Sequence, residues 1–210
     1  MQGRPVFDEM RGFGGEVRPV YRRVARWIEA LDAETLAQKR READLLFRRL
    51  GITFRAYGTD AEVETTIPFD LVPRVLGAAE WETLSRGLVQ RAKALNAFLA
   101  DAYGKREICR AGKIPEARVV GNEQFVAFAQ GLELPGKVHA HICGIDVVRV
   151  SDDQFYVLED NVRTPSGVSY MLENREVMMR LFPGLFADGK VRPVATYTDL
   201  LLTTLRQASF

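Results

Sequence analysis

Residues 138–161 read VHAHICGIDVVRVSDDQFYVLEDN, and this stretch decides the fold of the second half of the chain. Two runs of β-branched and aromatic residues flank Ser151–Gln154, whose polar side chains are typical of a tight turn. The pattern predicts an antiparallel β-hairpin centred on that turn. A two-residue loop and a four-residue loop both place Asp146 directly opposite Glu159.

The base of this hairpin gathers oxygen-bearing side chains on one face. Side chains alternate along a strand, so Asn161 shares a face with Glu159 and with the opposed Asp146. Two opposed carboxylates repel each other unless a proton, a basic neighbour or a cation offsets the charge. Oxygen ligands alone suit Mg²⁺ that is completed by water and substrate phosphates. The alternative is a solvated acidic hairpin end that meets an arginine from elsewhere, and the two interpretations both remain open at this point.

Helical patterns dominate the rest of the chain. Apolar residues recur at three- and four-residue steps, which predicts helices over residues 20–31, 33–50, 81–103, 168–181 and 200–205. Asp32 is expected to cap the second of these helices and Gly51 to end it. A strand is expected at residues 52–54, and β-type runs are expected after a break at Gly112 and Pro115. Helices around a central β-sheet predict an α/β (α+β) fold class.

Two helices carry apolar stripes, and we expect the stripe of the 81–103 helix to be buried. The stripe of the second helix consists of Leu36, Leu45, Leu46 and Leu50. The stripe of the 81–103 helix consists of Leu84, Leu88, Leu95 and Phe98.

Composition excludes several classes of protein. The net charge of +1 over 210 residues argues against a nucleic-acid binder that works by bulk charge. A hydrophobic content of 47% with 27% charged residues excludes disorder as the dominant state. The sequence has no apolar run of about 18 residues and no signal-peptide pattern, and Cys109 and Cys143 lie far apart. We therefore expect a cytoplasmic protein that binds neither nucleic acid nor membrane.

Four further residues in the hairpin region receive structural interpretations. His139 and His141 share one strand face in this prediction, and a two-histidine metal site would need a third ligand that the sequence does not offer. They are interpreted as core or edge histidines. Arg149 falls opposite Tyr156 in the predicted register, and the two are interpreted as a packing pair.

The segment GIDVVRVSDDQFYVLEDNVRTPSG resembles the metal-binding hairpin of ATP-grasp ligases, in which an Asp precedes a Glu-x-Asn triplet on the adjoining strand. More specifically, the chain is similar to the circularly permuted ATP-grasp family (type 2) related to glutathionylspermidine synthases. The supporting stretches are TIPFDLVPR (66–74), GLVQRAKALNAFLADAYG (87–104) and LEDNVRTPSGVSYMLENR (158–175).

This resemblance implies ATP-dependent joining of a small-molecule or peptide carboxylate to an amine through an acyl-phosphate, with Mg²⁺ and ATP as cofactors. It implies that Asp146, Glu159 and Asn161 are the metal ligands. Arg163 follows them by two residues. Its planar guanidinium has paired N–H donors that could bind the oxygens of a transferring phosphoryl group or of the acyl-phosphate. The alternative for Arg163 is a structural ion pair with Asp160.

Three residues are candidates for binding the nucleotide or substrate. Arg74 could reach a substrate carboxylate, or it could pair with Asp70. Ser166 and Gly167 precede a predicted helix, whose first N–H groups could receive an anion. The alternative is that Ser166 caps that helix and Gly167 serves only the turn.

The expected domain is residues 1–210, the N-terminal part of a permuted ATP-grasp domain, with 1–105 mostly helical and 106–210 a hairpin core plus helices. Family members are longer, and no Gly-rich phosphate loop is recognised in this sequence. We therefore expect a truncated chain that folds in part, is inactive alone and self-associates or joins a missing second lobe. The competing hypotheses are a non-catalytic fragment or binding module and, third, a metal-dependent phosphohydrolase.

Overall fold

The computed structural model describes residues 6–55, 64–66, 68–188 and 190–209. The α-helices are α1 (Arg22–Glu29), α2 (Ala33–Leu50), α3 (Ala78–Ala102), α4 (Glu107–Arg110), α5 (Glu116–Val120), α6 (Val168–Leu181) and α7 (Tyr197–Ala208). The strands are β1 (Thr53–Arg55), β2 (Glu64–Thr66), β3 (Gly144–Arg149) and β4 (Phe155–Asn161). Single 3₁₀ turns span Pro19–Tyr21, Ala127–Ala129, Pro135–Lys137 and Pro183–Leu185. The expected mixed class is confirmed: β1 pairs with β2 in an antiparallel sheet, and β3 pairs with β4.

The chain divides into two compact units, neither of which is a continuous stretch of sequence. Unit 1 comprises Met1–Gly77, Arg149–Tyr156 and Ser166–Thr196. Unit 2 comprises Ala78–Val148, Val157–Pro165 and Tyr197–Phe210. The tip of the β3–β4 hairpin therefore belongs to unit 1 and its base to unit 2.

Helices α2 and α6 build the core of unit 1. The Asp32 carboxylate accepts a hydrogen bond of 2.6 Å from the Thr35 amide, and Gly51 ends α2 in the left-handed region at φ 67°. Both predicted ends of this helix are confirmed. The buried cluster between the two helices contains Ala43, Phe47, Leu71, Val177, Met178, Leu181, Phe182 and Leu185.

The buried face of α2 does not coincide with the leucine stripe seen in the sequence. Leu45 and Leu50 are 55% and 45% exposed, whereas Ala43 and Phe47 lie in the core. Leu36 and Leu46 pack against the edge of that core and are partly buried. The face of α2 that meets α6 is centred on Ala43 and Phe47 rather than on the leucines.

Helix α3 confirms the predicted helix and extends it to Ala78–Ala102. Its stripe residues Leu84, Leu88, Leu95 and Phe98 are half-buried, so the stripe faces the protein without becoming core. Within α3, the buried residue is Ala102, near the end of the helix.

The β-type runs expected after Pro115 are wrong for residues 116–137, which form short helical turns joined by irregular segments. Gly131 and Gly136 adopt φ of 77° and 61°, a left-handed backbone that breaks an extended run. Strand β3 begins only at Gly144, so His139 and His141 precede the strand rather than sharing its face.

No helix in the described part of the chain is long and apolar enough to cross a membrane.

Candidate functional site

The tip of the β3–β4 hairpin has a longer loop than the sequence predicts. Five residues, 150–154, separate the strands, and the Val150 amide donates to the Gln154 carbonyl at 3.0 Å. The guanidinium of Arg149, which is 4% exposed, lies over the Phe155 ring at 4.5 Å from its centroid. Tyr156 is 54% exposed, so the predicted packing of Arg149 with Tyr156 is wrong. The tip register pairs Arg149 with Phe155.

The base of the hairpin follows a register that differs from that of the tip by one residue. A Cβ added at Gly144 would lie 3.5 Å from Cβ of Asn161, which places these two residues opposite each other. Five residue steps along β3, from Arg149 to Gly144, thus match six steps along β4, from Phe155 to Asn161. Strand β4 must therefore contain a β-bulge with one extra residue.

The exposure pattern locates this bulge at Leu158 and Glu159. Side chains alternate between exposed and half-buried along β4 except at these two consecutive residues, which are both exposed. Counting from the tip sets Leu158 opposite Asp146, and counting from the base sets Glu159 opposite Asp146. Both residues of the bulge therefore face Asp146, and β-bulges are known to redirect side chains beside functional sites.

The three predicted metal ligands lie on the exposed face of the hairpin base. Asp146, Glu159 and Asn161 are all exposed residues of unit 2. The Asn161 amide nitrogen donates to Glu159 Oε1 at 2.9 Å, so these two side chains meet directly. A carboxylate pair and an amide oxygen form an all-oxygen donor set, which fits Mg²⁺. Among the residues that the structure describes, there is no group of three or more His, Cys, Asp or Glu side chains that could hold a metal ion. Metal binding by this mixed set stays a prediction.

Asp160 points to the opposite side of β4 and binds helix α3. Arg91 holds its carboxylate with two hydrogen bonds, Nε to Oδ1 at 2.7 Å and Nη2 to Oδ2 at 2.6 Å. The hydrogen bonding by Arg91 lowers the pKa of Asp160. The alternative in which Asp160 pairs with Arg163 is therefore wrong. Local sequence patterns could not identify Arg91 as the partner, because the two residues are 69 positions apart.

Arg163 hydrogen-bonds a neutral side chain. Its Nη1 donates to the Gln124 amide oxygen, and the Arg163 side chain is exposed. A neutral partner leaves the positive charge of the guanidinium uncompensated by that contact. Its predicted role at a phosphoryl group stays a prediction.

Asn96 lies on helix α3, and its side chain binds the segment that precedes β3. Its amide nitrogen donates to the Ala140 carbonyl at 3.1 Å, and its oxygen accepts from the His139 and Ala140 amides at 2.8 and 2.9 Å. Asn96 thereby fixes the segment that leads into β3. The His139 ring stacks on Tyr103, and burial, followed by the charge of nearby His141, lowers the pKa of His139.

Arg74 of unit 1 pairs with Glu9 rather than with Asp70. Its Nε and Nη2 contact the two Glu9 carboxylate oxygens at 2.9 and 2.6 Å. Asp70 instead accepts from the Val72 amide at 2.9 Å. The guanidinium of Arg74 thus binds a carboxylate of its own chain through two nitrogens, the bidentate geometry that arginine forms with carboxylates.

The start of α6 differs from the predicted cap. Gly167 is the N-cap residue at φ 91°, and the helix has no side-chain hydrogen bond at this cap, so capping by Ser166 is wrong. Ser166 is exposed. Both residues belong to unit 1, and their predicted part in anion binding stays a prediction.

Relatives of this chain are considerably longer than it is. The chain is 41% identical over 199 residues to an uncharacterized protein of Synechocystis sp., covering 95% of this chain and 41% of the relative. It is 44% identical over 204 residues to an uncharacterized protein of Mycobacterium tuberculosis, covering 97% of this chain and 36% of the relative. A Frankia alni protein named "Putative glutamate--cysteine ligase 2-3" is 38% identical over 207 residues, covering 97% of this chain and 23% of that protein.

A family profile described as a circularly permuted ATP-grasp matches residues 73–210, which include α3, the β3–β4 hairpin and α6. The resemblance inferred from the hairpin sequence is thus confirmed at the level of the family, while the relation to glutathionylspermidine synthases stays a prediction. The matched region carries the exposed oxygen donors and the Arg91–Asp160 pair behind them. The chain belongs to the circularly permuted ATP-grasp family.

Proposed function

We propose that this chain forms the metal-bearing part of a Mg²⁺- and ATP-dependent ligase that joins a carboxylate to an amine through an acyl-phosphate. The observation that supports the proposal is the contact between the exposed Glu159 and Asn161 side chains, within a chain of the ATP-grasp family. The printed name of the Frankia alni relative, which denotes a ligase of glutamate and cysteine, supports an acid and an amine as the substrate classes.

In this proposal Asp146, Glu159 and Asn161 hold Mg²⁺. The ion, when bound, neutralises the charge that develops on phosphate oxygens during phosphoryl transfer. Glu159 and Asn161 would reorient so that the amide oxygen of Asn161, rather than its nitrogen, faces the cation. That exchange needs only a rotation of two exposed side chains.

Arg163 and Arg74 have separate tasks in this proposal. Arg163 contributes a fixed positive charge toward the phosphoryl group or acyl-phosphate, and Gln124 orients it. Arg74 binds a substrate carboxylate through Nε and Nη2, the same two nitrogens that contact Glu9 in the structure. The exposed Ser166 and the backbone at Gly167 contribute to nucleotide binding.

In this proposal the metal-bearing part needs a partner to complete the ligase. That partner is a polypeptide that supplies the remaining part, or a second copy of the chain. Relatives are between about two and four times as long as the matched region, which supports a need for further polypeptide. The exposed apolar residues Leu200, Leu202 and Leu205 of α7 support association.

The test is a chimaera in which this chain replaces the matching part of the Mycobacterium tuberculosis relative. We expect Mg²⁺-dependent ADP release when an acid and an amine are supplied. Glu159→Ala should abolish it, whereas His141→Ala, a change at an exposed residue before β3, should leave it intact. Mg²⁺-dependent nucleotide binding without ADP release would favour a binding module instead. ADP release that survives in Glu159→Ala would refute the proposed role of the site.

A further inference from the structure

The two faces of strand β4 at the hairpin base carry different kinds of contact. Glu159 and Asn161 lie on the exposed face, and Asp160, between them, lies on the other face with its side chain 18% exposed. Helix α3 contacts this hidden side through Arg91, which binds both carboxylate oxygens of Asp160. The bidentate geometry fixes the orientation of the carboxylate as well as its position.

The face on which Asp160 lies depends on the β-bulge that precedes it in β4. Strand β4 holds one more residue than the matching part of β3, and the extra residue lies at Leu158 and Glu159. Without the bulge, the register of the tip would continue through residues 159–161 and would reverse the face to which each of them points. Asp160 would then occupy the exposed face.

We propose that Arg91 is a positioning residue that, by clamping Asp160 directly after the bulge, holds Glu159 and Asn161 on the exposed face of the hairpin. This inference rests on the proposed metal site. Arg91 can bind Asp160 only when Asp160 lies on the hidden face, so this contact opposes loss of the bulge, which would leave the guanidinium without its carboxylate.

A second contact of α3 supports this role. Asn96, on the same helix, binds the backbone of His139 and Ala140 just before β3 begins. Helix α3 thus holds both strands of the hairpin base, β4 through Arg91 and the approach to β3 through Asn96. Arg91 is the contact that bears on the register, because it binds a side chain whose face depends on that register.

The experiment measures Mn²⁺ affinity of the full 210-residue chain by water-proton relaxation, with Mn²⁺ alone as the probe. Loss of a group that orients metal ligands typically lowers metal affinity by about 10- to 100-fold. We expect Arg91→Ala to weaken Mn²⁺ binding about tenfold or more and Arg91→Lys to restore part of it. Arg86→Ala, a change of an exposed arginine on the same helix, is the matched control and should bind as the wild type does.

A second measurement, amide hydrogen exchange of residues 158–161, tests the clamp without any metal. We expect faster exchange in Arg91→Ala than in Arg86→Ala, and no further acceleration when Asp160→Asn is added to Arg91→Ala. If Glu159→Gln leaves Mn²⁺ affinity unchanged, the proposed metal site is wrong. Amide hydrogen exchange alone then tests whether Arg91 holds Asp160 in place. If Glu159→Gln weakens Mn²⁺ binding but Arg91→Ala does not, the positioning role of Arg91 is refuted. Unchanged exchange in Arg91→Ala would also overturn it.

Discussion

Replacing Gly144 with alanine tests the packing at the base of the hairpin. The added Cβ would lie 2.9 Å from Cβ of Pro165 and 3.5 Å from Cβ of Asn161. Carbon atoms pack best at about 3.5–4.0 Å, so the proline contact must open by about 0.6 Å or more while the asparagine contact is acceptable. A proline ring cannot rotate away as a long side chain can. We therefore expect Gly144→Ala to lower the free energy of unfolding by about 1–3 kcal/mol, the usual cost of overpacking.

The control for this change is Gly87→Ala in helix α3. An added Cβ at Gly87 meets no atom within 4 Å, so the substitution brings only the better helix propensity of alanine. It should raise the free energy of unfolding by about 0.5–1 kcal/mol. Urea unfolding followed by circular dichroism measures both variants. A Gly144→Ala chain as stable as the wild type would refute the register that places Gly144 against Pro165 and Asn161.

The remaining predictions concern the core, a helix cap and the dependence of stability on pH. Phe47→Ala should cost about 3–5 kcal/mol in urea unfolding because Phe47 is fully buried, whereas Leu45→Ala at an exposed position should stay within about 0.5 kcal/mol; equal costs would show that the core face of α2 is misassigned. Asp32→Ala should lower stability by about 1 kcal/mol through loss of the cap on α2, visible as a lower melting temperature, and an unchanged value would contradict the capping bond. Hydrogen bonds from Arg91 and Arg23 lower the pKa values of Asp160 and Asp188 in the folded chain. The stability that they contribute is therefore complete above the ordinary Asp pKa of about 3.9 and is lost as the pH falls through the folded values. Asp160→Asn should flatten this acid dependence in unfolding measured between about pH 5 and pH 2, and a wild-type acid profile in that variant would argue against the ion pair.

Helix positions could be predicted because their signals are local. The ends of α2 follow from Asp32 and Gly51, whose effects act within one turn of the helix. The end of α6 follows from Pro183, which cannot continue a helix. The family could be inferred for the same reason, since the metal motif is a short contiguous pattern in the sequence.

Partners and register depend on long-range choices that local patterns do not encode. Arg74 had several carboxylates available and binds Glu9, 65 residues away. The hairpin register shows a different difficulty. The five-residue loop shifts the pairing by one residue at the tip, and the bulge at Leu158 and Glu159 shifts it back. The expected opposition of Asp146 and Glu159 thus followed from a continuous ladder that the structure does not contain.

The division of the chain has a consequence for dissecting the protein. The backbone passes from one unit to the other five times, between residues 77 and 78, 148 and 149, 156 and 157, 165 and 166, and 196 and 197. Neither unit can therefore be excised as a gene fragment, since no continuous stretch of the chain contains all of one unit without part of the other. Complementation by two expressed halves would require each half to carry incomplete portions of both units. A genetic change that removed or duplicated one unit alone would need cuts at several of these crossings.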